Sequence, residues 1–393
     1  MKHFQTVLIT VLVCFLVFFF IYDNYLKEKD EIQSLEKLGD EGPISFEEAQ
    51  QKGVSGNIRL ISYYHPDVVY TQYLEYYDKI FSGDIWHRNI FTVTVENSGN
   101  NYKTVLIEAE IPEYSYEAWE EFSIPPGSTD VVGITPELIH SNLYDLREIT
   151  PVPLKVRIKT VEDEGEVLLI EDIFNIKLSS VNTAVFQMRN ETRNIVLDLR
   201  DYICIWVTPN SYEIQDILRT AADFHPQHAI VGYQMVGGVN KADVVRKQVK
   251  AVYKALQSLD IAYISNPVSI GGGQKIKFPS EVVNTQSANC IEGVVLMASV
   301  LEAIGLEPLI VFTARHAFIG WKTWKDSSEA EFLETSYMWQ TLGIDFEIAL
   351  RKGTEQIREE KHRGNFKNRK SKITDVKKIH GEKGITPFSF DYF

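Results

Sequence analysis

Residues 286–335 read QSANCIEGVVLMASVLEAIGLEPLIVFTARHAFIGWKTWKDSSEAEFLET and decide the fold of the second half of the chain. An apolar run at helical spacing follows Cys290 and predicts a helix with one buried face, made of Ile291, Val294, Val295, Met297, Ala298, Leu301 and Ile304. Ser287 or Asn289 is placed to cap its start, and Gly305 its end. Cys290 therefore lies in the first turn, where unpaired N–H groups and the helix dipole favour the thiolate that attacks carbonyls.

A histidine and a carboxylate follow the thiol along the chain. Leu309–Thr313 is apolar and β-branched, which predicts a buried strand, and His316 precedes a second strand-like run, Ala317–Trp321. Glu331–Thr335 alternates polar and apolar residues, as a half-buried strand does. The order is thus a thiol at a helix start, an imidazole on a strand and a carboxylate on a neighbouring strand. Nucleophile, general base and orienting group occur in this order in papain-like chemistry.

Three motifs in this stretch resemble the transglutaminase-like superfamily of papain-fold cysteine enzymes, in particular a bacterial group of such domains. They are N-C-x-x-G-x-x-L-x-A-S-x-L-E-A-x-G-L, H-A-F-x-G-W and L-E-T, and the resemblance covers roughly the C-terminal half, including residues 206–210, 232–234, 274–279 and 375–387. It implies a papain-like fold and a Cys–His–Asp triad, which falls on Cys290, His316 and Glu334. Asp is commoner than Glu at the third position, and the extra methylene places the imidazole slightly further from the strand.

The expected reaction needs an oxyanion site and a substrate cleft beside the thiol. The backbone N–H of Cys290 is one natural oxyanion donor, and Gln274 or Gln286 is a candidate for a side-chain donor. Trp321 either shapes the acyl cleft or packs in the core.

The start of the chain predicts a membrane anchor. Phe4–Tyr22 carries no charge and is just long enough to cross a bilayer as a helix. A cleaved signal peptide is the alternative, but the run ends in Phe-Phe-Phe-Ile-Tyr-Asp without the small residues that cleavage needs. We predict an uncleaved transmembrane anchor at residues 1–22, with a short cytoplasmic N-terminus and an extracytoplasmic body. A polar, charge-rich stalk follows at residues 23–56.

The composition of the chain changes twice after the stalk. Residues 57–180 contain short β-branched or alternating runs between turn-forming clusters, which predicts an antiparallel, immunoglobulin-like β-sandwich that serves as a spacer or a binding module. Residues 181–393 form the predicted transglutaminase-like domain, so the whole chain is expected to be α+β. Arg351–Lys383 holds twelve Lys and Arg against five Asp and Glu, a local net charge of +7. That segment is either a solvated helix and loop or a contact for an anionic partner.

Composition and spacing argue against several classes of function. The net charge of −14 over 393 residues argues against a general nucleic-acid binder. Residues 271–273 are glycines but lack the lysine-serine helix start of a phosphate-binding loop. His225 and His228 lie on either side of a proline and have no further ligand nearby, so we expect no metal and no cofactor. Cys204 reads as a small apolar residue in a strand-like run, and a disulfide between Cys204 and Cys290 stays open.

Two classes of function fit the sequence. In the first, the chain is a membrane-anchored cysteine hydrolase or acyltransferase that acts on amide bonds of a protein or peptide. In the second, the triad is catalytically silent and the protein is a docking or binding module in a membrane complex. Solvent access distinguishes them, because a catalytic Cys290 must open to a cleft together with His316, whereas a thiol buried under Trp321 or Met297 favours docking.

Overall fold

A computed structural model describes residues 57–190, 195–234, 240–264, 273–339 and 344–388, together with three two-residue strands before residue 57. Its architecture is α+β, with several separate sheets. Within those ranges, no helix combines the length and the hydropathy that crossing a bilayer requires. The anchor predicted at residues 1–22, and most of the stalk predicted at residues 23–56, lie outside the described residues.

Two sheets make up the first half of the described chain. Its elements are β1 (Glu36–Lys37), β2 (Ile44–Ser45), β3 (Val54–Ser55), β4 (Ile58–Tyr64), β5 (Val68–Val69), α1 (Tyr77–Ile80), β6 (Phe91–Asn97), β7 (Lys103–Glu110), β8 (Ala118–Ile124), β9 (Ser128–Ile134), α2 (His140–Leu143), β10 (Thr150–Glu162) and β11 (Gly165–Leu178). One sheet has the order β2-β4-β6-β9, with β3 beside β4, and the other has the order β5-β11-β10-β7-β8. Neighbouring strands are antiparallel, except that β5 and β11 are parallel.

The long β10–β11 hairpin shows why these residues form strands. Every second residue of β10 from Val152 to Thr160 is buried, the period of two that a half-buried strand requires. The residues between them face outward, where Arg157 Nε lies 2.7 Å from Glu108 Oε2 on β7. Apolar residues of both sheets share one core. The immunoglobulin-like sandwich stays a prediction.

The second half folds around a four-stranded antiparallel sheet in the order β20-β19-β18-β21. Its strands are β18 (Pro308–Phe312), β19 (Ala317–Lys322), β20 (Ala330–Leu333) and β21 (Lys372–Asp375). The helices are α3 (Tyr212–Phe224), α4 (Lys241–Gln257), α5 (Pro279–Thr285), α6 (Cys290–Ala303), α7 (Phe346–His362) and α8 (Val376–Gly381). Shorter strands are β12 (Thr183–Ala184), β13 (Gln187–Asn190), β14 (Ile195–Asp198), β15 (Ala262–Tyr263), β16 (Gln274–Lys275) and β17 (Ser287–Ala288).

Helix α6 is the central helix of this half and begins at Cys290, as predicted. Asn289 caps it: its side chain accepts the Glu292 N–H at 3.0 Å, while Glu292 Oε2 accepts the Asn289 N–H at 2.9 Å. Gly305 follows its end with φ +76°, a left-handed conformation that glycine adopts without strain. All residues of α6 from 291 to 301 are buried. The helix is therefore enclosed on all sides, rather than on the single face that the apolar periodicity predicts.

The two halves are joined by aromatic packing and share one core. The Tyr73 ring packs edge-on against Tyr202 and Trp206, and the Tyr73 hydroxyl donates to Val185 O at 3.1 Å. The segment Arg200–Trp206, which contains Cys204, is a buried 3₁₀-helix. This corrects the strand-like reading of that run, because its short apolar part, Tyr202–Trp206, has no periodicity that separates a strand from a buried helical turn.

Candidate active site

The Cys290 thiol lies at the N-terminus of α6 and is half-buried. The segment before it is held by Lys277, whose Nζ donates to Ser287 O at 2.8 Å and to Ser287 Oγ at 2.7 Å. Cys290 and Cys204 are both free, and Cys204 is fully buried. The disulfide that the sequence left open does not form here, and Cys290 is partly exposed.

His316 lies in the turn between β18 and β19. Thr313 fixes that turn, because its Oγ1 accepts the His316 N–H at 3.0 Å and its own N–H donates to His316 O at 2.8 Å. The imidazole is half-buried and stacks beside Phe318, with ring centroids 6.4 Å apart. The antiparallel pairing of β18 with β19 thus presents the imidazole at one end of the sheet.

Glu334 directly follows β20 and is 2% exposed. Its Oε2 accepts His316 Nε2–H at 2.7 Å and the Gln356 side-chain amide at 2.8 Å. Its Oε1 accepts the N–H of Ser336 at 3.0 Å and the hydroxyl of Ser336 at 2.7 Å. Burial raises the pKa of Glu334, but the hydrogen bonds and charge of His316 and the Ser336 donors outweigh burial and lower it. The carboxylate is therefore held in its ionised form.

The structure brings Cys290, His316 and Glu334 together. His316 uses Nε2 for Glu334, and the Cys290 side chain is the other group that acts on the imidazole. Burial lowers the pKa of His316, but the hydrogen bonds and charges of Cys290 and Glu334 reverse this and raise it to about 10. The arrangement favours an imidazolium at His316, held on Nε2 by the ionised carboxylate of Glu334.

The three cleft residues suggested by the sequence lie elsewhere or are engaged elsewhere. Trp321 is fully buried on β19, so its indole packs in the core and lines no cleft. The Gln286 amide donates to Leu259 O at 3.1 Å. Gln274 pairs with Ala184 across β12 and β16, and a role for either glutamine in the oxyanion site stays a prediction.

Tyr263 is a site residue that sequence reasoning missed. It lies on β15, which runs parallel to β17 in the register Tyr263 to Ala288, and Ile264 N–H donates to Ala288 O at 2.9 Å. This pairing places Tyr263 beside Cys290, close enough for Cys290 to act on the pKa of the Tyr263 hydroxyl. Burial and the charges of Cys290 and Glu334 raise the pKa of Tyr263. Nothing local in the sequence marks Tyr263, since its contact depends on strand pairing across residues 265–286.

Position 293, the glycine of the N-C-x-x-G motif, requires a glycine for a steric reason. A Cβ at this position would lie 2.8 Å from Trp339 Nε1, so the indole packs directly on the backbone of α6. Trp339 is itself 7% exposed. The first turns of α6, which carry Cys290, are thereby fixed against the segment that follows Glu334.

In the described part of the chain, no group of three or more His, Cys, Asp and Glu side chains is placed to hold a metal ion.

No protein-family model matches the chain, and no curated protein matches it. Among solved structures, the chain is similar to the cupredoxin domain of amoB from Nitrosocaldus yellowstonii, with 10% identity, 33% of this chain and 90% of that chain covered, and a TM-score of 0.20. It is also similar to a "putative protease" from Parabacteroides distasonis, with 8% identity, 65% and 68% coverage, and a TM-score of 0.22. TM-scores this low support no argument about fold or function.

Proposed function

We propose that the second half of this protein is a transglutaminase-like cysteine hydrolase or acyltransferase of papain-like fold that acts on amide bonds of a protein or peptide. The observation that carries the proposal is the buried, ionised Glu334 hydrogen-bonded to His316 Nε2, with the partly exposed Cys290 beside the same imidazole. A cysteine that only packs at a helix start does not require an imidazole beside it. A histidine that only packs does not require a buried carboxylate that accepts four hydrogen bonds. The joint arrangement supports nucleophilic catalysis.

In the proposed reaction, His316 holds the proton of the Cys290 thiol as an imidazolium, and the Cys290 thiolate attacks an amide carbonyl. The C=O electrons move to oxygen, and the Cys290 backbone N–H stabilises the resulting oxyanion. The imidazolium gives its proton to the leaving amine as the C–N bond breaks, and a thioester remains on Cys290. Water or a second amine then attacks the thioester with His316 as base. Hydrolysis results with water and transamidation with an amine.

Glu334 holds the imidazolium in place in this mechanism. Its buried, ionised carboxylate keeps His316 Nε2 oriented at 2.7 Å, which directs Nδ1 at the thiol. Two donors from Ser336 hold the other oxygen, Oε1. Both oxygens of the Glu334 carboxylate are therefore fixed, although its side chain is longer than that of aspartate.

The predicted anchor at residues 1–22 and the stalk at residues 23–56 belong to the same proposal. They would hold the body at the extracytoplasmic side of a membrane, within reach of envelope proteins or peptides. Protease protection of the chain in sealed membrane vesicles tests this location separately. A body that is found on the cytoplasmic side of the membrane would contradict the extracytoplasmic location.

Thiol reactivity across pH tests the chemistry without a known substrate. The full-length chain carries Cys14→Ser and Cys204→Ala, so that iodoacetamide reports Cys290 alone, and His316→Ala is the control. We expect alkylation well below pH 8 that the control loses, because a thiolate–imidazolium pair reacts where an ordinary thiol, with a pKa of about 8.5, does not. Slow alkylation that is the same in the wild type and in His316→Ala would favour the catalytically silent docking module.

A further inference from the structure

Helix α7 packs against the end of β20 so closely that the two backbones are in contact. A Cβ at Gly353 would lie 2.4 Å from Leu333 N and 2.5 Å from Phe332 O, closer than real Cβ atoms approach. Only glycine allows the helix to lie on the strand at this distance. The residue after Leu333 is Glu334, so α7 touches the chain immediately before the orienting carboxylate.

Two further contacts of α7 reach Glu334 itself, one on each side of Gly353. One helical turn earlier, Ala349 O accepts the Glu334 N–H at 3.1 Å. One turn later, the Gln356 amide donates to Glu334 Oε2 at 2.8 Å. Residues spaced by three and four positions share one face of a helix. That face therefore holds the backbone and the carboxylate of Glu334 together.

The oxygen that Gln356 contacts is the one that His316 uses. Oε2 accepts from His316 Nε2 at 2.7 Å and from Gln356 Nε2 at 2.8 Å, while Oε1 is held by Ser336. A glutamate has one more rotatable bond than an aspartate, and its terminal torsion has a broad energy minimum. A second donor on Oε2 restricts that torsion and keeps the oxygen in line with the imidazole.

We propose that Gln356 is a positioning residue, which fixes the Glu334 carboxylate so that its Oε2 holds His316 in the orientation that reaches Cys290. The inference rests on the proposed function and extends it to α7. Gln356 touches no reacting atom and acts through Glu334. The charge of Glu334 also reaches Tyr253 and Tyr263, where burial and that charge raise the pKa of each hydroxyl.

The test compares variants of Gln356 in the full-length chain with Cys14→Ser and Cys204→Ala. Gln356→Met keeps the length of the side chain and removes the donor. Gln257→Met is the matched control, because Gln257 is also half-buried and donates to a backbone carbonyl, Ile344 O, at 3.0 Å. The readouts are the rate of iodoacetamide alkylation between pH 5 and 9 and the thermal midpoint.

We expect Gln356→Met to lower alkylation at pH 6 about tenfold and to move the profile toward that of an ordinary thiol, as losing a hydrogen bond to a charged group does. Gln257→Met should keep the wild-type profile at a similar thermal midpoint. If Gln356→Met fails to fold, Gln356→Glu serves instead, and it should also lower alkylation because it sets a second acceptor against Glu334.

The outcomes separate the two proposals. In one outcome, the pH profile of alkylation depends on His316 in the wild type but does not change in the folded Gln356 variant. This result overturns the role of Gln356 and leaves the proposed function standing. An equal loss in Gln257→Met means that stability, not positioning, sets the rate, and it also overturns the inference. A wild-type chain that alkylates like an ordinary thiol overturns both proposals.

Discussion

Tyr263 lies beside Cys290, and burial together with the charge of Cys290 raises the pKa of its hydroxyl. The two residues meet because β15 and β17 pair in parallel, with Tyr263 opposite Ala288. In a tetrahedral intermediate on the Cys290 sulfur, the oxyanion faces the Cys290 backbone N–H. We expect the Tyr263 hydroxyl to lie beside this developing charge, because Tyr263 neighbours Cys290 and is 46% exposed as a residue.

Removing this hydroxyl should affect acyl transfer more than alkylation. In Tyr263→Phe the ring is kept and one donor to the oxyanion is lost, which costs on the order of a hundredfold in rate at such sites. We expect this loss in the burst of p-nitrophenol released from p-nitrophenyl acetate. Alkylation by iodoacetamide forms no oxyanion and should persist. Tyr102→Phe, at an exposed tyrosine in the first half, is the control; equal losses in both reactions would argue that Tyr263 only shapes the fold.

Replacing Glu334 with the residue that is commoner in the resembling family should weaken the site. Glu334→Asp shortens the side chain by one methylene, while the backbone stays fixed by the hydrogen bond from Glu334 N–H to Ala349 O at 3.1 Å. The carboxylate then falls short of His316 Nε2. We expect alkylation of Cys290 at pH 6 to fall about tenfold, the cost of one charge-assisted hydrogen bond. Glu334→Gln, which keeps the length but not the charge, separates reach from electrostatics, and a gain in Glu334→Asp would refute the argument from geometry.

The stability of the protein should depend on pH through His316. Its pKa is raised from 6.5 to about 10, so the folded state binds this proton more tightly than the unfolded state does. The stabilisation is fully present below pH 6.5 and is lost as the pH rises toward 10. Glu334 has the opposite sign: its pKa is lowered from 4.5, so its contribution is present above that value and is lost in acid.

We therefore expect the free energy of unfolding of the wild type to fall between pH 6.5 and 10 relative to that of His316→Gln. Urea unfolding at intervals of one pH unit measures both. Cys290→Ala should retain only part of the effect, because the thiol is one of the two partners that raise the pKa of His316. Parallel curves for wild type and His316→Gln across this window would contradict the assignment.

The elements that carry the site were predictable because their signals are local. Apolar spacing after Cys290 marks α6, and β-branched or alternating runs mark β18, β19 and β20. The third triad position falls directly after β20, where the L-E-T motif places it. The fold class also follows from these patterns, since helical and strand periods alternate along the second half.

The sequence does not show which way individual side chains point or which distant residues they contact. Trp321 turns inward because every residue of β19 from 317 to 321 is buried, which no alternation in the sequence reveals. Gln286 adopts a left-handed φ of +46° at the end of α5, and its amide turns to Leu259 O. Gln356 reaches Glu334 across a separation of 22 residues, through helix-on-strand packing at Gly353. A single sequence carries no signal for such contacts.

The contact of α7 with β20 should make Gly353→Ala destabilising at an otherwise favourable position. Alanine is the better helix former, so without the contact the change would stabilise the helix by about 1 kcal/mol. The added Cβ would lie 2.4 Å from Leu333 N, and relieving such overpacking costs about 1–3 kcal/mol. Gly381→Ala is the control, since a Cβ there meets nothing within 4 Å. We expect a lower thermal midpoint and weaker low-pH alkylation in Gly353→Ala alone, because α7 lifts from Glu334. An unchanged midpoint would contradict backbone contact between α7 and β20.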